Sequence, residues 1–142
     1  MPTTRVKKNS KVSVQYAVPR RGVPGAAFLR KWVLATSTSR VTLRIVGERE
    51  GRELNHAFRK KSRATNVLAF DTGDIVLCHP VIRREARAHG KSVAAHYAHL
   101  VVHGCLHLRG YAHEKKRDTA RMEAREIRIL RRGGFGNPYG VE

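Results

Sequence analysis

The sequence predicts an α+β fold, a small and mostly parallel four-stranded mixed sheet with helices packed on it. Two observations predict it. Short stretches of period-two alternation are interleaved with longer stretches whose apolar residues recur at helical spacing, the order expected of layered helices and strands. Late in that series two apolar runs stand side by side with only "DTG" between them, so the sheet is mixed and not doubly wound, some connections being crossovers and others not.

The elements follow in order. Residues 1–10 read as a flexible start, after which "KVSVQYAV" sets Val12, Val14 and Tyr16 against polar neighbours as a strand with one covered face. "PRRGVPG" is a turn. From Gly25 to Ala35, Phe28, Leu29, Trp32 and Val33 recur at helical spacing, and "TSTS" punctuates. "RVTLRIVGE" alternates again, with Val41, Leu43 and Ile45 on one side of a second strand. Between Glu48 and Phe58, the residues Leu54, Ala57 and Phe58 mark a second, more polar helix, broken by the charges of "KKSRATN". Val67 to Phe70 and Ile75 to Cys78 are adjacent strands, and Pro80 closes the second or opens a helix. A basic helix spans Val81 to His89, with Gly90 ending or kinking it. From Ser92 to Leu108, Val93, Leu100, Val101 and Leu108, with Ala94 and Ala98 filling in, describe a long and mostly buried central helix. The last helix, about Asp118 to Leu130, places Met122, Ile127 and Leu130 on one side and arginines on the other. "RRGGFGNPYGVE" is a loop, and residues 133–142 form a C-terminal tail. The whole of 1–142 is the size of one domain.

Apolar residues make up 41% and charged residues 28%, the usage of a folded chain. The charge balance is unusual: 29 Lys and Arg against 11 Asp and Glu, a net charge of +18. Nucleic acid is the partner that best fits, because every phosphate neutralised releases counterions. A solvated basic surface with no specific anion is the plainer alternative. No run reaches the roughly 18 apolar residues of a spanning helix, so no membrane is expected. Cys78 and Cys105 lie in apolar runs and are expected as buried, reduced thiols; with no apolar segment behind the basic N-terminus, the expected location is cytoplasmic.

The stretch "HGCLHLRGYAH", residues 103 to 113, concentrates three of the chain's eight histidines. His103 and His107, four apart on a helix, share a face, and Gly110 can take the positive φ that turns the chain back to deliver His113. Three neutral ligands with a position left open are the arrangement of a catalytic zinc site, placed here on the long central helix. Zinc proteases carry a glutamate directly after the first histidine; Gly104 stands there, so that base is missing. His96 and His99, on the same helix, read first as packing neighbours and only second as supports of a ligand or contacts to substrate.

These residues carry a resemblance. "HGCLHLRGYAH" resembles the His-Gly-x-Leu-His-Leu-x-Gly-Tyr-Asp-His signature of the YbeY family of endoribonucleases, which mature ribosomal RNA. "FRKKSRATNVLAF", "GDIVLC" and "GFGNPY" are similar to further blocks of that family. The resemblance implies one zinc ion per chain, or another divalent transition metal, held by His103, His107 and His113. It implies that Arg59 faces the site, where a guanidinium can clamp a phosphate in two-pronged fashion. Thr65 and Asn66 read as shaping the turn into a strand. The implied activity is endonucleolytic cleavage of single-stranded RNA in ribosomal RNA maturation, at the 3′ end of the small-subunit RNA, and in ribosome quality control. Ribosomal RNA is the implied partner, with ribosomal proteins or assembly GTPases beside it. Phosphate contacts are expected from Arg59, Lys60, Lys61 and Arg63, with Arg20 and Arg21 adding to the basic surface. Three departures stand out: Ala112 replaces the family's Asp, Ser62 replaces another, and the link before "GDIVLC" is short. Two readings compete, a non-catalytic RNA-binding assembly factor with a structural metal and a metallohydrolase for small molecules or peptides.

Overall fold

The structure is a computed structural model, and it describes residues 11–59, 65–110 and 116–140. Its elements are β1 (Val12–Tyr16), α1 (Ala26–Thr36), β2 (Val41–Val46), α2 (Glu48–Arg59), β3 (Val67–Phe70), β4 (Asp74–Cys78), α3 (His79–Ala88), α4 (Val93–Leu108) and α5 (Lys116–Arg132). The sheet order is β1-β2-β4-β3; β1, β2 and β4 run parallel, and β3 is antiparallel to β4. The α+β class and the mostly parallel four-stranded mixed sheet are as the sequence predicts.

Strand alternation sorts side chains between two cores. Val12, Val41, Leu43, Ile45, Ile75 and Leu77 enter the larger one, beside Leu29, Trp32 and Val33 of α1, Tyr97, Val101 and Cys105 of α4, and Met122 and Leu130 of α5. On the opposite face Val46, Leu68, Val76 and Cys78 pack with Leu54 of α2. The β3–β4 hairpin closes at "DTG": Gly73 donates to the Phe70 carbonyl at 2.9 Å with φ +94°, and a Cβ there would lie 2.8 Å from the Arg40 carbonyl oxygen. Both facts demand glycine.

Helix α4 is seated deliberately. Ser92 caps it, its Oγ accepting from Ala95 N at 3.0 Å. At Gly104 an added Cβ would stand 3.2 Å from Cδ1 and Cγ2 of Ile75, so the absence of a side chain sets how closely α4 lies on β4. After α4 the chain turns at Gly110, whose φ is +99°, the conformation expected of it. Both cysteines are free and buried.

Four expectations change. Pro80 opens α3, which begins at His79 and not at Val81. In α2 the buried positions are Gly51 and Asn55, whereas Ala57 is exposed and Phe58 is 63% exposed, its ring stacked edge-on to Phe70 at 4.9 Å. In α5 the buried stripe is Met122, Glu126 and Leu130, four apart, and Ile127 is only half-buried. Residues 133–140, read as a tail, fold back: Phe135 packs against Trp32 and Phe28, and Lys91 Nζ donates to the Pro138 carbonyl at 2.6 Å. Among the described residues no helix is long and apolar enough to cross a membrane.

Candidate metal centre

The histidines of α4 at 99, 103 and 107 are each four residues apart and so lie along one side of the helix, at the edge it shares with α5. Glu126, with no exposed surface, projects from the apolar stripe of α5 toward them. Its Oε2 lies 3.1 Å from His103 Nδ1 and its Oε1 lies 2.8 Å from His99 Nε2. The Tyr139 hydroxyl, brought in by the returning C-terminal segment, donates to the same carboxylate, 2.9 Å from Oε2, and lies 3.0 Å from His99 Nε2.

Burial pushes the Glu126 carboxyl up, but the hydrogen bonds from His103, His99 and Tyr139 outweigh it and hold the group at about 2. An ionised carboxylate only accepts, so each imidazole donates to it. His103 therefore carries its proton on Nδ1 and its lone pair on Nε2, the form in which a histidine binds a metal through Nε2 with a carboxylate behind it. His99 donates from Nε2, and its buried Nδ1 has no partner among the described residues. Burial first, then the bond to Glu126, pushes the Tyr139 hydroxyl well above its usual range, so it stays a donor.

His99, His103 and Glu126 make a group of metal-ligating chemistry, with ligand atoms all within 4.8 Å of one another. Their spacing is that of hydrogen bonds. Two ligands about 2.1 Å from one tetrahedral zinc stand roughly 3.4 Å apart, wider than the 2.8 Å between His99 Nε2 and Glu126 Oε1. That spacing suits a hydrogen-bonded network in which Glu126 supports the His103 ring, and the exposed His107 lies one helical turn beyond His103 on α4.

The remaining sequence candidates divide as follows. Arg59 is the last residue of α2; its side chain, Lys60, Lys61, Arg63 and His113 all lie outside the described residues, as do Ala112 and residues 1–10. Asn66 shapes the entry to β3: its Oδ1 accepts from Val67 N at 2.6 Å and its Nδ2 donates to Glu85 Oε1 at 3.0 Å. His96 Nε2 shares that Glu85 oxygen at 2.8 Å, and burial lowers its pKa despite the carboxylate, so His96 is a neutral packing residue. Sequence reasoning missed Glu126 and the role of Tyr139. The available signal was a carboxylate in register with Met122 and Leu130 on the buried side of a helix.

Fold and site together define an α+β protein with a carboxylate-supported histidine centre on its central helix, in a strongly basic chain. The family model for YbeY, described as endoribonuclease YbeY, matches residues 26–134. "Endoribonuclease YbeY" of Xanthomonas axonopodis pv. citri is 45% identical over 92% of this chain and 94% of its own. The protein of that name in Polynucleobacter asymbioticus is 42% identical over 94% and 97%. The chain belongs to the YbeY endoribonuclease family. The solution structure of TM1509 from Thermotoga maritima shares the fold, with a TM-score of 0.58 at 21% identity over 92% of this chain and 99% of that one.

Proposed function

We propose that the chain is a metal-dependent endoribonuclease that cleaves single-stranded ribosomal RNA, maturing the 3′ end of the small-subunit RNA and serving ribosome quality control in the cytoplasm. One zinc ion per chain is held by His103, His107 and His113. The observation that carries this is the Glu126 bond to His103 Nδ1, at 3.1 Å, which leaves Nε2 as the ligating nitrogen of the first histidine in the signature. The ion, when bound, supplies Lewis acidity at a phosphodiester. Arg59 holds the scissile phosphate and neutralises its charge in the transition state. Lys60, Lys61 and Arg63 draw RNA in by charge, and ribosomal proteins or assembly GTPases are the further partners.

The test compares zinc-loaded wild type with His107→Ala and Arg59→Ala on a labelled ribosomal RNA fragment. Cleavage by wild type that falls at least ~100-fold in both variants, with RNA binding kept by His107→Ala, supports the reading. Equal cleavage by wild type and His107→Ala refutes it. RNA binding without any cleavage puts the non-catalytic assembly factor in its place.

A further inference from the structure

We propose that Glu126 and Tyr139 are positioning residues for the metal: Tyr139, on the returning C-terminal segment, fixes the Glu126 carboxylate, which in turn fixes the His103 ring. The inference rests on the reading that His103 ligates the ion through Nε2.

Four observations carry it. Glu126 is fully buried, and it receives donors from three directions, His99, His103 and Tyr139. A carboxylate in that place has no use as a solubilising charge, and leaving it without donors would be costly. Its bond to Nδ1 of His103 selects one tautomer and one ring orientation, which raises the basicity of Nε2. Tyr139 reaches the carboxylate because its segment is anchored on both sides. Gly133 is pressed against Trp32, where a Cβ would approach Cη2 to 2.1 Å, Phe135 N donates to the Leu130 carbonyl at 2.9 Å, and Lys91 holds the Pro138 carbonyl. The segment therefore does more than end the chain. It supplies a hydroxyl whose partner is the support of a ligand.

Zinc and cobalt binding to the metal-free full-length chain test this, by competition with a chromophoric chelator and by the visible Co²⁺ spectrum at saturation. Tyr139→Phe keeps the ring and removes one hydroxyl; it is expected to weaken zinc binding about fivefold, the effect of one hydrogen bond. Glu126→Gln is expected to weaken it ~10–100-fold, with one ion still bound at saturation and altered Co²⁺ bands. His107→Ala is the control for the ligand set and is expected to abolish tight binding. If both variants bind zinc within twofold of wild type, the inference is overturned; if Glu126→Gln does not fold, Tyr139→Phe decides by the same limit. If His107→Ala binds normally while Glu126→Gln binds nothing, the ligand set is wrong and Glu126 is itself a ligand, which also overturns it.

Discussion

Acid should remove the contribution of Glu126 in a calculable way. The carboxyl titrates at about 2 in the folded chain against an ordinary 4.5, a separation of about 2.5 units and so about 3 kcal/mol at roughly 1.4 kcal/mol per unit. Because the folded value is depressed, the unfolded chain takes up the proton first. The contribution is therefore complete above about pH 5 and is lost as the pH falls through 4.5 toward 2, with about 2 kcal/mol gone by pH 3. Urea unfolding of the metal-free protein, followed by circular dichroism from pH 7 to pH 3, measures the total loss. Glu126→Gln cannot titrate there, so the difference between the two curves reports this carboxyl together with its coupling to the imidazoles bonded to it. Wild type should lose about 2 kcal/mol more than the variant across that range. Parallel curves, agreeing within about 0.5 kcal/mol, would refute the claim that the buried carboxylate is held ionised by its three donors.

Gly133→Ala should destabilise the fold by about 2 kcal/mol, because its Cβ would come within 2.1 Å of the buried Trp32 ring, and the urea midpoint reads the loss. Ser92→Ala removes the cap on the α4 backbone, and the same measurement should show a loss of about 1 kcal/mol with no change in metal affinity. Raising salt from about 50 to 200 mM should weaken RNA binding by at least tenfold in a filter-binding assay, given a net charge of +18; a flat response would deny that phosphate contacts dominate.

The parts of the fold that were legible are those in which one local rule suffices. The alternation in Val12–Tyr16 and Val41–Val46 names both the strand and its buried side, since every second residue must leave the core. The buried α4 and the glycine turn after it follow from an apolar helical period ending at Gly110. The misses share a different cause. Glu126 reads as polar surface until α4 is known to offer it two imidazoles, and Ile127 reads as core until Glu126 takes the inward place beside Met122 and Leu130. The exposure of Phe58, likewise, depends on how α2 lies on the sheet, and no period within α2 records that. His103 and His107 share a side of α4 as their spacing predicts, while the bond from Glu126 to His103 showed itself only in tertiary contact.

The seating of α4 on β4 also limits what this fold could become. A zinc peptidase needs a glutamate directly after its first histidine, which here is position 104, and any carbon there meets Ile75 at 3.2 Å. A glutamate there would press on the Ile75 side chain and carry its charge toward the larger core. Mutation can therefore reshape the loops around the histidines, and with them the substrate, without bringing peptide hydrolysis within one step. The core, and not the ligands, closes that route.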